Sequence, residues 1–333
     1  MIVALLVCAG AGAANGEGWR RLMTEGKLEA DLGNHDRASA AFRAVADDEA
    51  APGSLRWEAL VRFGLARSAA GDPGAGAEAF RTVLANYAGE PEAMRFLTSA
   101  VAMSVPGKIW IDFREEFEEL LRTAHVVSAH ELGPGGGARK VELREGDVEL
   151  SAVWRNVSDA ESKDSYIHEV AAYEVDKILG LDMVPPTVER AIEGQEGTLQ
   201  LFVLGCEALA HVRDRVPDTP EWRNQLSRAK AFDYLIGNVE RREGNTLVYA
   251  TWEIVLVDHT RGFSVREKVP DLPDRFDRQM VQKLRRLSRP ILLTRLKDIL
   301  SKAEVEGLLK RRDALLAHVE KLVADKGEPA VLF

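Results

Sequence analysis

The stretch Phe232 to Phe263 reads FDYLIGNVERREGNTLVYATWEIVLVDHTRGF. It opens on the end of a helical pattern that runs from Trp222 to Ile236, and Gly237-Asn238 breaks that pattern. A polar loop follows, and NTLVY and EIVLVDH then read as a pair of short β-strands rich in branched residues. If the two strands form a hairpin over the loop, Glu240, Asn245 and Asp258 converge. Such a set suits a metal–phosphate site. Phosphoryl transfer asks little covalent chemistry of a protein; it needs hard oxygen ligands for Mg2+ and a carboxylate to orient the attacking hydroxyl. Asn245 and Asp258 are the candidate metal ligands, and Glu240 is the candidate catalytic carboxylate.

Working outward toward the N-terminus, TLQLFVL is a short apolar strand. SYIHEVAAYEVDKILGL puts Ile167, Val170, Ala171, Val175, Ile178 and Leu179 at helical spacing. Before it, RKVELREGDVELSAVW alternates apolar and charged residues about Glu145-Gly146-Asp147, the pattern of a β-hairpin. Gly133, Gly135, Gly136 and Gly137 surround Pro134 just upstream and mark a glycine-rich turn. In the other direction, the chain from about Arg275 is helical. The order is a small strand-rich lobe followed by a mainly helical one.

With these motifs in order, the region from about Val127 to Phe263 resembles atypical protein kinases. It is similar to bacterial phosphatidylinositol 3- and 4-kinase-like proteins and to secretory-pathway kinases of the Golgi casein kinase type, which carry motifs of the forms GNxDRxxxN and DHxRxF. GNVERREGN and DHTRGF stand at those places here, and GLDMVPPTVER looks like the link out of the preceding helix. The resemblance implies a two-lobed kinase-like fold that binds ATP with Mg2+ or Mn2+. It assigns Gly133, Gly135 and Gly136 to the loop over the phosphates, Glu169 to the helix carboxylate that pairs with a nucleotide-binding lysine, and Asn245 and Asp258 to the metal. Two positions depart from the pattern. Arg155 in ELSAVWRN stands where the family places that lysine, and Glu240 where it places the catalytic aspartate. Arginine keeps the charge but is a planar fork that grips phosphate differently. Glutamate keeps the carboxylate but is one methylene longer, and a misplacement of about 1 Å can cost about a hundredfold in rate.

The N-terminal third echoes itself. Gly33-Asn34 precedes Ala40-Ala41-Phe42-Arg43, and Gly71-Asp72 precedes Glu78-Ala79-Phe80-Arg81, each pair of positions 38 residues apart. Each unit reads as helix, turn, helix. The segment resembles tetratricopeptide repeats, whose period is near 34 residues, with the Asp47–Ser54 connection holding the excess. Such arrays offer a concave surface to peptides. Helices at about Glu90 to Met103 and Asp112 to Thr123 are expected to cap it; an ordinary helical bundle is the alternative.

Composition narrows the partners. Across 333 residues, 46% hydrophobic and 29% charged residues describe an ordinary globular chain, long enough for two cores. A formal charge of -9 with short basic runs argues against nucleic acid. The two cysteines, Cys8 and Cys206, lack metal-ligand spacing, and Cys206 reads as core. His259 has no second His or Cys at ligand spacing, His168 reads as a helix-surface residue, and Arg241 as part of a salt bridge within the lobe. MIVALLVCAGAGAANG resembles a secretory leader with Ala11 and Ala13 at an A-x-A site, but without a basic start. An exported location is the expectation, with a cytoplasmic one if the segment is not a leader. No later apolar run reaches the ~20 residues that cross a bilayer.

The expected architecture is therefore α+β: a leader over 1–16, an all-α helical-hairpin repeat domain over 17–126, and a kinase-like domain over 127–333. The expected function is ATP and metal binding, with phosphotransfer to a protein or lipid hydroxyl, and a protein or peptide partner held by the repeats. The alternatives are a pseudokinase scaffold and a purely structural interaction protein.

Overall fold

A computed structural model of the chain describes residues 16–104, 108–133, 137–146, 148–159, 164–239, 241–264 and 271–333. The leader reading of the first fifteen residues, together with Gly135, Gly136 and Glu240, lies outside the described residues. The chain separates into two units, Met1–Pro106 and Gly107–Phe333.

The first unit contains α1 (Gly16–Asp31), α2 (His35–Ala46), α3 (Gly53–Ala69), α4 (Pro73–Tyr87) and α5 (Pro91–Ser104), each packed on the next. Both turns expected from the echo are there. Gly33 and Gly71 have positive φ, 77° and 87°, which ends α1 and α3 and reverses the chain. After the second turn, Asp72 caps α4 by accepting from the Ala75 N–H and pairs with Arg67 at 2.7 Å. The repeat extends further than those motifs. The buried ring of Phe42 lies against Gly26 and that of Phe80 against Gly64, so each hairpin crosses where a glycine lets an aromatic ring reach helix backbone. Trp19 and Trp57 keep the same 38-residue period, and their indole N–H groups donate to Asp48 and Glu90 at 2.8 and 3.1 Å.

The second unit begins with a 3-10 turn, Ile109–Phe113, and α6 (Arg114–Thr123). There follow β1 (His125–Glu131), β2 (Ala138–Glu145), β3 (Val148–Arg155), β4 (Ser158–Asp159), β5 (Asp164–Ser165) and α7 (Ile167–Leu179). Next come β6 (Thr187–Glu189), β7 (Thr198–Leu201), β8 (Cys206–Ala208), α8 (Leu209–Val212), α9 (Pro220–Ile236), β9 (Thr246–Tyr249) and β10 (Ile254–Leu256). The chain ends in α10 (Arg278–Arg286), α11 (Arg289–Leu296), α12 (Lys302–Lys326) and α13 (Glu328–Val331). One antiparallel sheet has the order β1-β2-β3-β7-β6, a second β10-β9-β8, and β4 pairs β5. The protein is thus mixed α+β, with a helical N-terminal region followed by a region built around a sheet.

Two expectations change. The hairpin is a three-stranded meander, because β1 pairs β2 from His125↔Arg144 to Glu131↔Arg139, and Gly133 lies in the turn between them. HVVSAHE hides this strand by carrying polar residues on both faces. The helix expected near Asp112 to Thr123 starts at Arg114 and packs on β6, β7 and β2, with Phe117 and Leu121 buried. A hydrogen bond and an ion pair fasten it to α7: Glu118 accepts from the Tyr173 hydroxyl at 2.8 Å and from Lys177 Nζ at 2.9 Å. The helix therefore belongs to the sheet-bearing unit.

α7 lies against that sheet with most of its length buried, and α9 and α12 complete the core around Tyr173, Phe232, Phe263 and Leu308. Among the described residues no helix is long and apolar enough to cross a membrane.

Candidate functional site

α9 starts at Thr219, whose hydroxyl accepts from the Trp222 N–H, with Pro220 in the first turn. It stops at Gly237, which takes φ +67° and carries the chain into the polar loop. β9 and β10 then pair antiparallel from Thr246↔Leu256 to Val248↔Ile254. The hairpin brings its two ends together: the Val257 N–H donates to the Asn245 carbonyl at 3.1 Å. Asn245 Nδ2 donates to Asp258 Oδ2 at 2.9 Å, so the two candidate metal ligands meet. The Thr260 hydroxyl donates to Asp258 Oδ1 at 3.0 Å.

Asp258 has φ +60° and Phe263 φ +57°. Left-handed backbone is uncommon for a residue other than glycine and a genuine outlier for one as bulky as phenylalanine. Such conformations persist where surrounding contacts over-determine them, and they cluster at functional sites. The contacts here are specific. Phe263 N–H donates to the Ile236 carbonyl at 2.5 Å, and the Thr260 carbonyl accepts from the Ser165 N–H at 2.9 Å.

Glu169, in the first turn of α7, is fully buried. One carboxylate oxygen accepts the His259 backbone N–H at 3.0 Å, and the other accepts from His259 Nδ1 at 3.3 Å. Arg155 Nε, at the end of β3, lies 3.7 Å from the same carboxylate. Burial alone would raise this carboxyl, but the Arg155 charge and the His259 ring and N–H together hold it below the usual range. Arg155, Glu169, His259 and Asp258 therefore form one connected series from sheet to helix to loop. Asn245 closes it. Gly133 is exposed at the β1–β2 turn.

His168 is not a surface residue. It is buried, with Nδ1 donating to the Thr260 carbonyl at 2.9 Å and Nε2 2.9 Å from the Glu304 carboxylate on α12. It ties α7 and α12 to the segment carrying Asp258. Helical periodicity does not predict this, because the partners lie 92 and 136 residues away.

Arg241 does enter a salt bridge. Its Nε and one terminal nitrogen donate to the two oxygens of buried Asp233 at 3.0 and 2.8 Å, and Asn238 Nδ2 donates to Asp233 at 2.9 Å. The second terminal nitrogen donates to the carbonyls of Asn245 and Val257 at 3.0 and 2.6 Å. Asp233 carries the one signal a sequence offers for this pair: a carboxylate among the core positions of α9 needs a cation nearby.

Asn245 and Asp258 offer one amide and one carboxylate, and rotating the Asn245 amide turns its oxygen toward Asp258. No group of three or more His, Cys, Asp or Glu that could hold a metal occurs among the described residues. One or two protein oxygens fit Mg2+ held mainly by substrate phosphates and water, and do not fit an all-protein cage. No family model matches the chain, and comparison with curated proteins gives no match.

Proposed function

We propose that the second unit binds a nucleoside triphosphate with Mg2+ or Mn2+ in the manner of an atypical protein kinase, and that the first unit recruits a protein or peptide. The observation that carries the proposal is the meeting of Asn245 with Asp258, continued through His259 to Glu169 and Arg155. These residues come from a strand, a helix and a loop, in the order that phosphoryl-transfer sites of this class use. With metal and nucleotide bound, Asn245 and Asp258 would hold the metal, Arg155, steadied by Glu169, would face the phosphates, and Glu240 would orient the acceptor hydroxyl. The metal and nucleotide supply charge neutralisation and the transferable phosphoryl group. In the first unit, a cavity between α1 and α3, lined by Lys27, Asp31, His35, Phe42, Arg62 and Ser68, is where a peptide would lie.

A pseudokinase scaffold is the second reading. The position of Arg155 favours it: largely buried, with its charge committed toward Glu169, the guanidinium has less freedom to follow a moving phosphoryl group than a lysine at that place. Titration calorimetry of the full chain with ATP and Mn2+, beside Asn245→Ala, tests both. Binding lost in the variant supports a nucleotide site, and no binding by the parent chain contradicts it. Phosphotransfer by the Arg155→Lys, Glu240→Asp double variant, absent from the parent chain, would favour the scaffold.

A further inference from the structure

Arg241 has more partners than a structural salt bridge requires. It leaves the loop between α9 and β9, and its guanidinium is mostly buried, as is the Asp233 carboxylate. One edge makes a two-point contact with Asp233, the geometry that fixes a guanidinium plane most tightly. Asn238, buried at the start of the loop, adds a third donor to that carboxylate, so Asp233 cannot turn away. The remaining edge grips two carbonyls: that of Asn245, and that of Val257, the residue before Asp258. Across the same gap runs the Val257 N–H bond to the Asn245 carbonyl. The two candidate metal ligands are therefore clamped through their backbones by one side chain that α9 holds rigid.

We infer that Arg241, anchored on Asp233, is the positioning residue of the candidate site: it sets the separation of Asn245 and Asp258 and so the metal geometry, without touching metal or nucleotide. The inference rests on the proposed nucleotide–metal function and deepens it. Positioning matters because a displacement of about 1 Å in such a site can cost about a hundredfold in rate. Lysine cannot replace arginine here. A single ammonium can neutralise Asp233 but cannot keep a two-point contact with it while also donating to two carbonyls on its far side.

The test uses the full chain with Arg241→Lys and Asp233→Asn, and two readouts: Mn2+–ATP affinity, and hydrogen exchange at the amides of residues 245 to 258. Arg241→Lys is expected to weaken Mn2+–ATP binding at least tenfold and to speed exchange of the Val257 amide at least tenfold, with exchange in α12 unchanged. Asp233→Asn, which frees the guanidinium from its anchor but leaves its carbonyl contacts possible, is expected to shift both readouts the same way by less. It also serves if the lysine variant does not fold. Unchanged exchange at Val257 overturns the clamp, and faster exchange with undiminished affinity overturns the positioning role. If the parent chain itself binds no Mn2+–ATP, the functional reading has failed and the inference falls with it, an outcome separable because it appears before any substitution.

Discussion

The carboxylate of Glu169 accepts the backbone N–H of His259 at 3.0 Å across 90 residues of sequence, and this bond joins the first turn of α7 to the residue beside Asp258. A helix carboxylate that also faces Arg155 thus reports on the loop that would hold a metal.

Removing that carboxylate should be costly. Glu169→Ala leaves the Arg155 charge largely buried without its partner and the His259 N–H without an acceptor. Breaking a buried pair in this way costs about 3–5 kcal/mol. Urea denaturation of parent and variant measures it, and a loss under about 1 kcal/mol would mean that Arg155 finds water or another partner.

The glycines beneath the aromatic rings of the first unit make a second prediction. A Cβ on Gly26 would lie 2.6 Å from Cε1 of Phe42, and one on Gly64 closer still to Cε1 of Phe80. Alanine favours a helix interior by up to about 1 kcal/mol, whereas overpacking typically costs about 1–3 kcal/mol. Phe80 is fully buried and Phe42, although it borders the cavity between α1 and α3, is only 2% exposed, so the clash should win. Gly26→Ala and Gly64→Ala should each lower the thermal midpoint of the first unit's helical signal, and a raised midpoint would show that the rings can move.

Asp176 gives a pH signature. Burial raises its carboxyl to about 7, against the Met183 N–H and the charges of Arg114 and Lys108, which pull it down. The folded value lies above the unfolded one, so the stability this group contributes is complete below about 3.8 and is lost as pH rises through about 7. Asp176→Asn keeps an acceptor for Met183 N–H and cannot ionise. The variant should lose less stability than the parent between pH 4 and pH 8, as read from urea midpoints; equal losses would remove Asp176 as the source.

Glu304 has the opposite sign. Burial opposes ionisation, but His168 and the Ser301 hydroxyl and N–H outweigh it and hold the carboxyl at about 2. Its contribution is present above about 4.5 and is lost as pH falls toward about 2. Glu304→Gln should flatten the fall in stability between pH 5 and pH 3. An unaltered acid limb would assign that limb to other carboxylates.

Much of this could be read from the chain because local chemistry specified it. Gly33 and Gly71 announced their turns, Phe42 and Phe80 their period, and the strands on either side of Ala250 their hairpin, which brings Asn245 to Asp258. Other features were hidden because long-range contacts decide them. α6 looks like the end of a helical array, yet Phe117 and Leu121 are buried as it packs on the sheet. His168 sits among helix-periodic residues and gives no sign of Thr260 or Glu304. Arg241 stands beside Glu240 and Glu243 in sequence yet pairs with Asp233 eight residues back, and its grip on two carbonyls exists only once β9 and β10 have paired.

Thermal unfolding of the full chain with and without ATP plus Mn2+, beside Asp258→Ala, decides whether the second unit binds a nucleotide–metal complex. A ligand that binds only the native state adds about 2.7 kcal/mol at a hundred times its dissociation constant, enough to raise the midpoint of the second unit by several degrees. The midpoint should rise only when both metal and nucleotide are present, and the rise should disappear in Asp258→Ala. No rise at millimolar nucleotide, or a rise that Asp258→Ala retains, would contradict the proposed nucleotide site.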